Sequence, residues 1–218
     1  MDSIKKALEN WMNELNNFSF KDYEALPDLD LYMDQVIQFL DKQLYIFQTS
    51  TMDKQITPSM INNYVKGEVL PSPIAKKYNK EHLALIEEIC TLKQVLSIAE
   101  VKQIIDSEYK DSLVKAEIFN KFNRLNNEKI EASVLEAFKH LNDIEENDTQ
   151  ALTELAMDFA MTANTYIQIS KRILYLIRAY EIAEKAKEAK EKRKEKKDKK
   201  EDKDDALEDN ASSSDIQE

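Results

Sequence analysis

Apolar residues recur at intervals of three and four along most of the chain, and the stretches between these runs are short and polar. Ile4, Leu8, Trp11, Met12 and Leu15 place one apolar stripe on a helix over residues 3–17, with Trp11 read as an anchor into the core. The period breaks at Asn16-Asn17-Phe18-Ser19-Phe20 and again at Leu26-Pro27-Asp28. A second helix is expected from Asp28 or Asp30, carrying Met33, Val36, Ile37, Leu40, Leu44 and Phe47 on one face. A polar link over 48–55 follows.

Residues 57–78, TPSMINNYVKGEVLPSPIAKKY, hold the single glycine and three of the four prolines. Thr57 followed by Pro58 reads as an N-cap and first helical position, because the hydroxyl can accept an orphan amide and proline gives up no needed donor there. Gly67 is expected to end that helix in the left-handed conformation, so the helix spans about residues 58–66. Ser59, Asn62, Asn63 and Lys66 fall on one face of it; Ile61, Tyr64 and Val65 share the other. Val69 and Leu70, a proline-bounded turn and Ala75-Lys76-Lys77-Tyr78 suffice for two very short strands forming a small basic wing.

Asn79 is the expected N-cap of a helix holding Leu83, Leu85, Ile86, Ile89, Cys90, Leu92, Val95 and Leu96. Apolar on most sides, it should be central. Ser97 and Glu100 have capping-box spacing for a helix to about Asp106. Beyond it, Val114, Ile118, Phe122 and Leu125 line one helix. Ile130, Val134, Phe138 and Leu141 line a second, beginning after Asn126-Asn127. The longest run takes in Leu152, Leu155, Ala156, Phe159, Ala163, Tyr166, Ile167, Ser170, Ile173, Leu174, Ile177 and Tyr180, and can serve as a coiled-coil dimer seam. The charged stretch after Ala183 can continue this helix past about residue 195 before fraying. The last ten residues have no core-forming pattern and read as a disordered tail.

Composition narrows the picture. One glycine in 218 residues, with 42% hydrophobic residues, predicts an all-α protein able to bury one good core. The expected organisation is 1–106, N-terminal helices with a helix-turn-helix; 107–183, a helical bundle; and 184–218, a charged helical extension and tail. The net charge of −11 argues against nucleic-acid binding by bulk charge, so any such contact must be local. Lys54, Lys66, Lys76, Lys77 and Lys80 against Glu68 alone make residues 54–80 basic within an acidic chain. The most apolar stretch, near 167–182, contains Lys171, Arg172 and Arg178, and no membrane span is expected. With no signal or transit pattern and one cysteine, Cys90, the expected location is cytoplasmic.

Catalytic chemistry is not expected. His82 and His140 are isolated, Cys90 lies on a helix that reads as buried, and one glycine cannot build a phosphate-binding loop. No cofactor or metal set emerges. Ser59, Asn62, Asn63 and Lys66 suit a recognition helix, since asparagine can bond the edge of adenine and lysine can reach guanine or phosphate. They also suit a solvated face or a hydrogen-bonded network. Lys76, Lys77 and Lys80 could clamp phosphates or be ordinary surface lysines.

The residues Ile61, Tyr64, Gly67, Leu70, Pro71, Tyr78, Glu81 and Leu83 resemble the winged helix-turn-helix of MerR-type regulators. Asn62-Asn63 stand where that family prefers Arg-Tyr, and the wing between Leu70 and Tyr78 is shorter. LPDLDLYMDQVI (26–37), ITPSMINNYVKGEVLPSPIAKKY (56–78) and EHLALIEEICTLKQVLSI (81–98) are similar to the bacterial family of domains of unknown function DUF1836, common in low-GC Gram-positive bacteria. That resemblance covers most of residues 18–125 and implies a fold and a transcription-regulator role, with no mechanism. The expectation is a DNA-binding regulator, dimeric through its C-terminal helices, with Thr57, Ser59, Asn62, Asn63, Lys66, Lys76, Lys77 and Lys80 at DNA and no effector identified. The alternative of another class is a helical interaction or scaffold protein with a vestigial helix-turn-helix.

Overall fold

Helices begin where side chains can satisfy their first amides. The Ser3 hydroxyl accepts from Lys6 N at 3.2 Å, Thr57 from Met60 N at 3.3 Å, and Asn79 Oδ1 from His82 N at 3.1 Å. Ser97 and Glu100 form the reciprocal box, with Ser97 N donating to Glu100 Oε2 at 2.7 Å. The computed structural model describes residues 3–47, 56–110 and 115–212, with side chains described as far as residue 192. Its helices are α1 (Ile4–Asn17), α2 (Met33–Gln43), α3 (Pro58–Lys66), α4 (Lys80–Leu92), α5 (Ile98–Tyr109), α6 (Lys115–Asn142) and α7 (Thr149–Ser212). Two-residue strands β1 (Leu31–Tyr32) and β2 (Lys77–Tyr78) pair antiparallel, Leu31 opposite Tyr78. The all-α expectation holds.

Helix α4 is the centre. Every residue from His82 to Cys90 is buried, which no amphipathic surface helix allows. A second cluster joins Met12 of α1 to Val134 and Leu141 of α6, with Leu8, Leu15, Leu152 and Leu155 packed around it. Met12 is therefore the anchor of α1. Trp11, expected in that role, is 42% exposed at the edge of the stripe, where its indole N–H reaches Ile46 O at 3.4 Å.

Three further expectations change. Helix α2 starts at Met33 rather than near Asp28 or Asp30, because Leu31 and Tyr32 are taken up by strand pairing. One continuous helix, α6, replaces the two expected on either side of Asn126-Asn127. The asparagines do not break it because three of them spend their polar groups elsewhere. Asn120 accepts from Tyr23 N at 2.6 Å, Asn123 donates to Lys21 O at 2.8 Å, and Asn127 both accepts from Phe20 N at 2.8 Å and donates to Phe20 O at 3.2 Å. At spacings of three and four they line one face of α6, and they satisfy an extended segment that has no strand partner of its own. Lastly, α7 runs to Ser212, so residues 209–212 of the expected tail are helical. Residues 213–218, Val114 and the link 48–55 with Lys54 lie outside the described residues.

The chain divides into two units, Met1–Gln168 and Ile169–Glu218. The first unit takes in α1 to α6 and crosses the boundary expected at residue 106. In the second, the described residues from Ile169 to Ser212 are helix, and Ile169, Ile173, Leu176 and Tyr180 on it are each at least half exposed. Among the described residues no helix is long and apolar enough to cross a membrane.

Candidate nucleic-acid interface

Helix α3 is set by its two faces. Ile61 is 0% and Tyr64 3% exposed, which together contribute roughly 3–6 kcal/mol of burial. Opposite them Ser59, Asn62, Asn63 and Lys66 are exposed. The side chains of Asn62 and Asn63 make no hydrogen bond among the described residues, so the polar face is not spent on an internal network. Thr57 is half-buried and its hydroxyl oxygen accepts from Met60 N, which makes it a group that positions the helix start.

The helix ends differently from expectation. Gly67 has φ −78°, and the left-handed residue is Glu68 at φ 55°. What favours glycine at position 67 is space, since a Cβ there would sit 3.2 Å from Asn63 O, a tight approach. Val69 and Leu70 both donate their amides to Tyr64 O, at 3.0 and 3.2 Å, and both side chains are buried. They close the end of α3 and contribute no strand, which corrects the expected wing.

Instead, Ile74 and Lys77 exchange both backbone hydrogen bonds, at 3.2 and 2.9 Å, around Ala75 and Lys76. Both turn residues have positive φ, 50° and 63°. This is the backbone of a two-residue hairpin turn whose twist suits the strands but which glycine and asparagine normally supply. Lys77 continues into β2 and so pairs with β1. The hairpin is thus a third, one-residue strand laid beside a pair whose other member precedes α2.

The lysines separate. Lys66 and Lys76 are exposed. Lys77 Nζ sits 5.3 Å over the Tyr32 ring, held at the strand pair. Lys80 turns to another neighbour, with Nζ 3.3 Å from Glu24 O and 5.1 Å over the Tyr23 ring. Sequence reasoning missed Lys102 of α5, whose Nζ reaches Glu68 O at 2.6 Å; only contact between distant segments reveals it. It also missed Ile74, the most exposed of the large apolar side chains described, at 75%.

Of the groups considered for catalysis, His82 is buried and completes the Asn79 cap, its Nδ1 accepting from Asn79 N at 3.3 Å. Burial pushes the Cys90 thiol up to about 12, far from a reactive thiolate. No cluster of three or more metal-ligating side chains occurs among the described residues. An apolar cavity of about 600 Å³ opens in the first unit between α1, α6 and the start of α7, lined by Trp11, Met12, Val134, Leu152 and Phe159.

Residues 21–125 match the model of a family described as "Domain of unknown function (DUF1836)". The match includes α2 to α5, the strand pair and the hairpin. No curated protein and no solved structure matches the chain.

Proposed function

We propose that this chain is a cytoplasmic DNA-binding transcriptional regulator that acts as a dimer. The observation that carries the reading is the polar face of α3, where Ser59, Asn62, Asn63 and Lys66 stand exposed and neither amide is hydrogen-bonded among the described residues. Amides at i and i+1 on a short capped helix weaken it by their helix propensity, and a base edge is a partner that would compensate. Strand, helix, helix, hairpin and helix follow one another from Leu31 to Leu92, an order that suits a MerR-like helix-turn-helix with a minimal wing. Lys76 at the hairpin tip and Lys77 beside it supply phosphate contacts, and Lys66 reaches the groove. Lys80, held at Glu24, contributes only after leaving that carbonyl.

So few cations per chain give modest affinity, and pairing two chains doubles them. The second unit offers the seam. Ile169, Ile173, Leu176 and Tyr180 are spaced four, three and four, a heptad spacing that a second copy of the same helix matches.

The test is selection of bound sequences from random duplex DNA at low salt, followed by gel shifts of the native chain and two double variants. Native protein should enrich a motif. Asn62→Ala/Asn63→Ala should lose preference within it, and Lys76→Glu/Lys77→Glu should weaken binding to all sequences alike. Absence of any enriched sequence, or variants that bind as the native chain does, sinks the reading. The same exposed apolar residues of the second unit favour a second reading, a helical interaction protein, which predicts a stable partner on that helix and no DNA enrichment.

A further inference from the structure

Glu87 and Glu88 lie next to each other in the middle of α4 and are 1% and 2% exposed. Neither forms an ion pair with a cation among the described residues. A carboxylate so placed carries a desolvation cost of several kcal/mol that nothing of opposite charge offsets.

The neighbour of Glu87 shows how the cost is avoided. Asn123 of α6 is 0% exposed, and its Nδ2 donates to Glu87 Oε1 at 3.1 Å and to Lys21 O at 2.8 Å. A main-chain carbonyl can only accept, so the contact with Lys21 settles which end of the amide is nitrogen. The other end, Oδ1, is buried without a hydrogen-bond partner. An acceptor in a dry site is costly unless a donor reaches it, and a protonated Glu87 has an O–H to give.

We propose that Glu87 is a neutral carboxylic acid in the folded protein, donating its hydroxyl to Asn123 Oδ1, so that a two-bond acid–amide clasp holds α6 and the Lys21 segment on α4 and opens when the acid ionises. Burial, the largest cause, raises Glu87 to about 7 and Glu88 to about 8. Among the described residues, the groups facing the pair supply no countercharge. From α5 come Tyr109, whose hydroxyl donates to Glu88 Oε1 at 3.0 Å, and Glu108, which raises Glu88 further. Cys90 of α4 is neutral, and from α6 there is Asn123, while Lys121 is taken by Glu108 at 3.0 Å.

The sign follows from the direction of the shift. A carboxyl whose folded pKa lies above its unfolded value favours folding in full below the unfolded value, and that contribution disappears as pH rises through the folded one. For Glu87 the window runs from the ordinary 4.5 to about 7, and for Glu88 to about 8. Within it the unfolding equilibrium constant rises up to about tenfold per pH unit for each such proton.

Urea unfolding of the full chain between about pH 5 and pH 8, for native protein, Glu87→Gln and Glu88→Gln, tests the clasp. Glutamine can give an N–H to Asn123 Oδ1 and still accept from Nδ2. Glu87→Gln should therefore remove about one proton from the pH slope and be at least as stable as the native chain at the alkaline end. Infrared spectra of native protein and Glu88→Gln near pH 6 should both show a protonated-carboxyl stretch, reduced in Glu87→Gln to the part that Glu88 supplies and absent from the double variant Glu87→Gln/Glu88→Gln. A Glu87→Gln slope as steep as native, lower stability than native at the alkaline end, or no such stretch in Glu88→Gln overturns the proposal. Should Glu87→Gln fail to fold, the stretch in the Glu88→Gln protein decides alone.

Discussion

The ammonium of Lys102 lies 2.6 Å from the carbonyl oxygen of Glu68, the left-handed residue that ends α3. Helix α5 thereby holds the end of the proposed reading helix by a bond to main chain, independent of the Glu68 side chain. Its ion pair with Asp106 at 3.5 Å is exposed and adds little. Lys102→Met should lower stability by about 0.5–1.5 kcal/mol in urea unfolding, whereas Asp106→Ala should change it by less than about 0.5 kcal/mol. Equal losses from the two would show that the carbonyl contact contributes nothing of its own.

Glu68→Gly leaves that carbonyl in place and removes the steric cost of a side chain at φ 55°. The glycine also gains unfolded-state entropy, so the net effect should be a stabilisation of at most about 1 kcal/mol. Gly67→Ala should be neutral to destabilising, because the new Cβ meets Asn63 O at 3.2 Å. Thermal melts of the two variants check the assignment, and the reverse ranking would contradict it.

The hairpin turn allows a parallel test. Ala75 at φ 50° is a position that asparagine occupies more readily, so Ala75→Asn should raise the melting temperature by a few degrees, about 1 kcal/mol. Since Ala75 carries no charge, DNA affinity should stay the same or rise slightly. A loss of stability would mean that the turn is not held in this conformation in solution.

Asn127→Ala deletes both hydrogen bonds to Phe20 and leaves a part-buried amide and carbonyl unpaired. The expected cost is about 2–3 kcal/mol. The exchange rate of the Phe20 amide should rise more than those of amides in α4. Uniform acceleration across the protein would argue for general loosening instead.

Cys90 is 4% exposed and its thiol is raised to about 12 by burial, so labelling by a thiol reagent near pH 8 should proceed only through opening of the fold. Urea just below the unfolding transition should accelerate it by orders of magnitude. Rapid labelling in buffer alone would place Cys90 at an accessible surface.

Much of this architecture was legible in the residues. Caps at Thr57, Asn79 and Ser97 depend on contacts within three residues, and a local signal suffices for them. The breadth of apolar positions in α4 likewise announced a central helix. Most failures came where a distant segment decides. Nothing near Asn127 says that its amide is taken by Phe20, 107 residues away, so the asparagine pair looked like a break. Glycine 67 was assigned the left-handed role on propensity, while the real constraint was room beside Asn63. At the candidate site, exposure of Ser59, Asn62, Asn63 and Lys66 was readable from helical period; the separation of Lys80 from Lys76 and Lys77 was not, because it depends on Glu24 and Tyr23. The buried Glu87 and Glu88 carried no distinguishing mark, since the chain's other adjacent glutamates, Glu145 and Glu146, are exposed.

Strand β1 precedes α2 and β2 follows α3, so the register of Leu31 with Tyr78 ties positions 47 residues apart (78 − 31). During synthesis, α2 and α3 emerge well before the residue that completes this pair. The entropy of closing so long a loop must be overcome before the short ladder returns anything, and two residues per strand return little. The helix proposed to read DNA is therefore expected to acquire its final setting late, once α4 has supplied the apolar surface that brings Tyr78 back to Leu31. A chain stalled before residue 78 would carry the asparagine pair on an unanchored segment, giving temporal order to a site whose chemistry is all contained in α3 and its hairpin.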